Sequence, residues 1–480
     1  VIIVGDGVAN GEELFTEGTG LADGNFAAGT KIHMPATLTD GQTITLVAQT
    51  TDAADAAILE DLEAAVVDTA LTTYTGTVTE ATNNNDLVFT ASVNSAADIG
   101  TNLNVTKNMG ASMAQVLNAA QADTTVRANL QDSLNSLNSL STTDTTAFAK
   151  QSAPQQDLIS GSTQVSKAVT GAVQGVINNR MASLRSGDAY IAGIAAGDGV
   201  SANSMFMQAF GSITEQDSKV VGSGHQPGFD TDTAGVAVGV DAVSDGGLVV
   251  GLSVSMANTD LEGKGTGKST NDIDTYTASL YMDKTGDAGY VEGSVTFGIS
   301  ENATSRVINS LGLDRTLKGE YDSQQISVKI GGGLPYEAQN GAYVTPFASI
   351  TSTLIETDAY TETSSTDGDA LRLRVDQDDI NSIVGSVGLK AHMDTGNGIP
   401  MISLALNNEF GDLKVKSSNT FQGGGTAFDT SSTIEEMSAT LGLGYTFTNG
   451  NTDVSFGYEA EANNDDYMGH NGSLKLSSRF

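Results

Sequence analysis

The chain has 480 residues, 39% of them hydrophobic, with 55 glycines, 6 prolines and no cysteine. The missing cysteine excludes disulfide scaffolds, zinc–cysteine sites and thiol catalysis, and it suits passage through an oxidising periplasm. A formal charge of −36 and a pI of about 4.1 make nucleic acid and anionic membrane surfaces poor partners. The bland reading of this acidity is solubility in a salty medium, and weak calcium binding in acidic loops is the sharper one.

Length alone suggests two or three domains. No run of 18 apolar residues occurs, so no membrane-spanning helix is expected. The chain opens on Val1-Ile2-Ile3-Val4, which reads as a strand already under way. The expectation is a mature or trimmed chain whose signal, and more, lay upstream.

Residues 1–105 read as a β-rich stalk or passenger end. Short strand runs lie at Lys31–Met34, Thr43–Ala48 and Asp86–Val93, with a short helix over Ala53–Val67 between them. Uneven strands with polar turns suit the end of a parallel β-helix or a small β-rich cap. Residues 106–150 form a helical connector. Met113, Val116, Leu117 and Ala120, then Leu130, Leu134, Leu137 and Leu140, recur at helical spacing and predict two packed helices. Ala122–Thr125 reads as the turn between them and Ser141–Asp144 as a polar linker.

Residues 151–200 hold a long helix and a link. The spacing predicts a helix over Pro154–Arg185, with Pro154 in its first turn. Val165, Val169, Val173, Ile177 and Met181 form one stripe, and Asn178, Arg180 and Arg185 lie in its last turns. It would run roughly 45–50 Å, about the thickness of a bilayer with its headgroups. Its sides are too polar for lipid. A helix threading a polar pore needs both properties, with Gly161, Gly171 and Gly175 keeping it slim; an amphipathic helix on a soluble domain is the alternative.

Residues 201–480 alternate apolar and polar in about twelve strands. Turns rich in Gly, Asp or Asn alternate with longer loops at Asp217–Gly228, Asn258–Thr270, Thr304–Gly319, Thr361–Arg374, Lys414–Ser432 and Asn463–His470. An even strand number with short turns at one end and long loops at the other predicts an antiparallel transmembrane barrel. Glu292, Lys329, Lys390, Lys475 and Arg479 fall on the inward face with Gly, Ser and Thr. Aromatics such as Phe206, Tyr276, Tyr281, Phe297, Phe447 and Tyr458 are candidates for interfacial girdles. The last strand puts Gly472, Leu474, Leu476 and Phe480 on the opposite face to Lys475 and Arg479.

Several stretches resemble the translocator of monomeric (type V) autotransporters. They are Gln174–Arg185, Met207–Ser212, Tyr343–Ala348 and the Gly472–Phe480 terminus. The likeness covers about Ser152–Phe480, and Asn104–Asp144 is similar to the segment that joins a passenger to its translocator. The resemblance implies an outer-membrane barrel of a Gram-negative bacterium that exports and anchors a surface passenger, adhesin-like or structural, with the helix left as a plug. It implies lipid, lipopolysaccharide, periplasmic chaperones and the barrel assembly machinery as partners, the last reading Gly472, Leu474, Leu476 and Phe480. It also implies surface or cell–cell contacts through the passenger. A plugged porin-like channel and a β-rich surface-layer protein are the alternatives. Some autotransporters cut themselves between paired asparagines in this helix. Asn178-Asn179 sits later than the family's cleaved pair and reads as lumen-lining amides.

No catalytic set is legible. Glu262–Ser269 nearly spells a phosphate loop but lies between strands, with no following helix. His33, His225, His392 and His470 are scattered. Asp367, Asp369, Asp376 and Asp378 are candidates for weak calcium binding; no other cofactor or metal is expected.

Overall fold

A computed structural model describes residues 2–3, 13–17, 31–34, 41–49, 62–81, 84–122, 142–186, 202–222, 224–244, 246–286, 288–339, 341–366, 369–449, 451–463 and 467–479. Twelve strands form the main body: β1 (Ala202–Gln216), β2 (Phe229–Val243), β3 (Leu248–Gly263), β4 (Thr270–Thr285), β5 (Tyr290–Ile308) and β6 (Arg315–Gly333). The ring continues with β7 (Ala342–Thr357), β8 (Ile380–Met393), β9 (Ile399–Glu409), β10 (Met437–Asn449), β11 (Thr452–Asn463) and β12 (Tyr467–Arg479). Each pairs antiparallel with the next, and β12 returns to β1 from Tyr467↔Gln216 to Arg479↔Ser204. The sheet is a closed barrel, so its strands leave no unpaired edge.

Its pattern is inverted relative to a water-soluble barrel. Along β3 the exposed residues are Val250, Leu252, Val254 and Met256, and the buried ones between them include Ser253 and Ser255. The same holds for Val291, Val295, Phe297 and Ile299 on β5 and for Leu474 and Leu476 on β12. The run from Val291 to Ile299 is roughly 27 Å along the strand, or about 20 Å of height at the usual tilt, close to a membrane's apolar band. This outward belt leaves no place for a soluble surface-layer protein.

Beyond the belt the strands continue into regions that the sequence reads as loops. β3 runs on to Gly263 and β4 begins at Thr270, so only residues 264–269 connect them. Outward Asp260, Glu262 and Asp272 alternate with inward Thr259, Leu261, Asn271 and Ile273, so the ladder persists above lipid. Lys414–Ser432 likewise holds two paired strands, Lys414–Phe421 and Phe428–Thr433, which join Leu373–Gln377 and Tyr360–Thr361 in a four-stranded sheet over the long-loop end.

Helices among the described residues between the N-terminal region and the barrel are α1 (Ala96–Leu103), α2 (Lys107–Ala122), α3 (Thr142–Ser152) and α4 (Gln156–Ser186). α2 is the first of the two predicted connector helices, and the second falls outside the described residues. Thr142–Asp144, expected as linker, begins α3, and Pro154 lies in the break between α3 and α4 rather than in a first turn. Pro154 lacks a backbone N–H, so the chain bends there at little cost.

In the N-terminal region Ile2–Ile3, Ile32–His33 and Val66–Val67 stack in parallel, thirty and then thirty-four residues apart. Glu13–Glu17 and Thr43–Gln49 also pair in parallel. These are rungs of the β-helix kind. The antiparallel pair Thr72–Ala81 and Asn84–Val93 closes them, over a core of Ile32, Ile44, Leu46, Leu87 and Phe89. Val66 therefore belongs to a strand, not to the expected helix, of which Leu62–Ala65 is the described helical part.

Candidate functional site

The barrel's axis is occupied by α4. It enters from the long-loop end, where Gln156 Nε2 donates to Thr430 Oγ1 (2.7 Å), and reaches the short-turn end, where Arg185 meets Asp283 and Glu292. Val165, Val169, Val173, Ile177 and Met181 are all buried, packed on Phe206, Phe210, Ala237, Ala257, Leu261 and Ile273 of β1–β4. The predicted stripe is thus the face that leans on the wall. Phe206 and Tyr281, candidates for a girdle, point inward and form part of that wall; Tyr276, Phe297, Phe447 and Tyr458 do face outward.

Gly161 is where the helix comes closest. A Cβ there would lie 2.5 Å from Leu261 Cδ1. Gly171 and Gly175, also expected to keep the helix slim, have nothing within 4 Å of a Cβ built on either. They face open space because α4 sits off-centre. Two adjoining cavities of about 320 and 350 Å³ lie beside it, lined mainly by residues of β7–β12. Asn178 and Lys329 line one, Asn179 and Lys475 the other, and Lys390 lines both.

Three charged anchors fix the lower half of α4. Arg180 is 1% exposed; its Nε donates to Asp241 Oδ2 (2.7 Å), and its Nη2 to Asp241 Oδ1 (3.0 Å) and to Ser204. Tyr281 donates its hydroxyl to the same carboxylate (3.0 Å). Arg185 pairs with Asp283 and with Glu292 (3.2 Å), and its guanidinium lies 3.6 Å from the centre of the Tyr290 ring. Lys475 donates to the Asn179 carbonyl (3.0 Å) and to Ser183 Oγ (2.5 Å), so the closing strand holds the helix directly. Higher up, Lys167 pairs with Glu409 (2.6 Å).

Of the inward residues predicted, Glu292 and Lys475 touch the helix. Lys390 lies 4.7 Å over the Phe347 ring, facing the cavity with Lys329. Arg479 lies in β12, opposite Ser204 in register. Phe480 lies outside the described residues, as does Asp367. Gly472, Leu474 and Leu476 share the outward, exposed side of β12. Asp369 is committed to Ser364 Oγ (2.8 Å), Leu371 N (3.1 Å) and Arg315 (3.4 Å). Asp376 pairs with Arg374 at 3.5 Å, and Asp378 lies in the link to β8, where its backbone N–H donates to Lys416 O (3.0 Å). His392 stacks on Tyr343 and His470 bonds to Tyr458 Oη. Among the described residues no three His, Asp, Glu or Cys side chains gather as a metal site.

Sequence reasoning missed Asp241, Asp283 and Ser204 as partners. It also missed the purpose of the glycine-rich stretch Gly263–Ser269. That stretch straps the first turn of α4. Ser269 Oγ donates to Asp157 Oδ2 (3.2 Å), and a Cβ on Gly263 would sit 2.2 Å from the same oxygen. Asp157 lies above the apolar belt, fully buried, and burial pushes its carboxyl up to about 6.

Residues 205–461, more than half of the chain, match the family model described as the autotransporter β-domain. Outer membrane protein B of Rickettsia japonica is 24% identical over 231 residues, which are 42% of this chain and 14% of that protein. The extracellular serine protease of Serratia marcescens is 26% identical over 245 residues, 49% of this chain and 23% of that protein. The chain thus spans less than a quarter of the length of either relative. Among solved structures, the translocator domain of autotransporter NalP from Neisseria meningitidis aligns over 65% of this chain and 98% of its own, at 16% identity and a TM-score of 0.48.

Proposed function

The chain belongs to the autotransporter β-domain family and is an outer-membrane translocator; on that premise we propose that it exports its N-terminal part to the cell surface and then anchors it there, with α4 as the plug. One observation carries this reading: α4 runs through a closed barrel and is tied to its wall by ion pairs, the buried Arg180 with Asp241 and the partly buried Arg185 with Asp283 and Glu292. A closed barrel satisfies its backbone groups in lipid, and a helix bonded to an inward polar wall obstructs the lumen. The reading does not need a nucleotide site.

The exported part is an adhesin-like or structural surface segment rather than an enzyme. Supporting this, its described residues stack as parallel rungs capped by an antiparallel pair, a shape that extends a surface. The partners are outer-membrane lipid and lipopolysaccharide around the apolar belt. The assembly machinery meets the outward face of β12 after periplasmic chaperones deliver the chain. A porin-like channel has one observation in its favour, the cavities beside α4, and conductance decides the matter. Deleting residues 156–186 from the full chain should raise planar-bilayer conductance sharply while heat-modifiable gel migration persists. Unchanged conductance would overturn the plug.

A further inference from the structure

Small side chains line the gap beside α4 from both sides. Gly171, Ala172, Gly175 and Ala182 line it from the helix, and Ser403, Ala405, Gly442 and Gly444 of β9 and β10 line it from the wall. The opposite face of α4 carries Val, Ile and Met packed on β1–β4. Protein interiors are close-packed, so a gap kept clear by small residues on two facing elements calls for a use. The larger of the two cavities, about 350 Å³, lies within the range of small-molecule sites, roughly 300–1,000 Å³.

The charges around it are unevenly matched. The cations of α4 have partners: Lys167 with Glu409, Arg180 with Asp241, and Arg185 with Asp283 and Glu292. Lys329 of β6, Lys390 of β8 and Glu459 of β11 line the larger cavity, and among the described residues no side chain forms an ion pair or hydrogen bond with any of the three. The Phe347 ring lies 4.7 Å from Lys390 Nζ. The remaining carboxylates of that cavity are engaged, Glu292 and Glu409 as above, Glu461 by Ser438 Oγ (2.6 Å) and Glu435 by Lys219 (3.4 Å), apart from Glu436, which is exposed at the long-loop end.

Lys329, Lys390 and Glu459 stand at the height of the apolar belt, beside outward Val328 and Ile330, Leu389 and Tyr458. A charge at that depth is costly unless water or a counter-charge meets it, and an ionisable group facing a membrane protein's inner cavity points to a solute. Two ammoniums and one carboxylate therefore surround one cavity, and Asn178 of α4 adds a side-chain amide that has no partner among the described residues. The complement of that pattern is a solute with two carboxylates and one ammonium.

We infer that this cavity is a binding site for a small acidic amino acid, or a solute of the same charge pattern, with its carboxylates on Lys329 and Lys390 and its ammonium on Glu459. The small residues of α4 form the floor. The inference goes beyond the translocator reading, and the site shares none of the ion pairs that hold the plug.

The test is isothermal titration of L-glutamate into the full chain, folded in detergent at pH 7 without carboxylate or phosphate buffer. One saturable site is expected, and L-lysine should not bind. Lys329→Met and Lys390→Met should each weaken L-glutamate at least tenfold. Glutarate has both carboxylates and no ammonium; it should bind at least tenfold more weakly than L-glutamate, and Glu459→Gln should erase that difference. Heat-modifiable migration shows that each variant is a folded barrel. Gly175→Leu keeps all three charges and fills the cavity from the helix side; it should abolish binding, and it serves where a charge variant fails to assemble. No saturable site, unchanged affinity in the lysine variants or in Gly175→Leu, or equal affinity for glutarate in the unaltered chain overturns the proposal. A failure of the plug reading shows elsewhere, as unchanged conductance on deleting residues 156–186.

Discussion

Arg180→Met removes the guanidinium that neutralises Asp241 and keeps an apolar stem of similar length. The pair has side-chain exposures of 1% and 0%, so water does not screen it. Asp241 would keep only the hydroxyls of Ser204 and Tyr281. Removing one partner of a buried pair costs roughly 3–5 kcal/mol. At tenfold per about 1.4 kcal/mol, the unseated population of α4 rises roughly 10²- to 4 × 10³-fold. Planar-bilayer recording reads this directly as the open fraction at fixed voltage. Asp241→Leu alone should open the pore by a comparable factor, because it strands the arginine. Arg180→Met with Asp241→Leu should cost much less than the sum, since two apolar side chains can pack where the pair stood. Two results would refute the reasoning: Arg180→Met conducting like the unaltered protein, or a double variant whose cost equals the sum of the singles.

Three more outcomes are expected. Burial holds the Asp157 carboxyl near 6 against an ordinary 3.8, so its contribution to the seated first turn is complete below pH about 4 and lost as pH rises through about 6. The span is at most about 3 kcal/mol, and protease cleavage around residue 155 should increase from pH 4.5 to 7.5 and lose that dependence in Asp157→Asn. Gly161→Val should lower the heat-modification temperature by driving its side chain into Leu261, whereas Gly171→Ala and Gly175→Ala should raise helix stability by about 0.5–1 kcal/mol each without touching the wall. Leu476→Arg on the lipid face should cost about 2–4 kcal/mol and lower the fraction of chain that resists extraction from the membrane.

The barrel was legible because alternation is a local signal that each strand repeats. The α4 stripe was legible for the same reason. Lys475 could be placed inward from its neighbours Leu474 and Leu476 alone. Phe206 and Tyr281 were misplaced where an aromatic's usual preference was followed instead of strand parity: Met205 and Met207 flank Phe206 and face outward. The partners of α4 were not legible, because Asp241 and Asp283 are isolated carboxylates, 61 and 98 residues from the arginines they meet. The cap was hidden for another reason. On Lys414–Phe421 the buried central positions are Ser417 and Asn419, which bond to Thr430 Oγ1 (2.8 and 3.0 Å) instead of offering an apolar run.

Arg306, whose Nη1 donates to Gln151 O and Ser152 O (3.1 Å each), has a mechanical consequence. The surface part of the chain reaches the membrane only through α3, the Pro154 break and α4. A tug on that surface part, as under fluid shear, meets Arg306 at Gln151 and Ser152 before it reaches the helix below. Arg306 belongs to β5, so tension passes sideways into the barrel wall and is shared among paired strands. The contacts of α4, from Lys167 with Glu409 down to the ion pairs of Arg180 and Arg185, load only after that has yielded. The tether is fastened in series, at Arg306 and then along α4 at Lys167, Arg180 and Arg185.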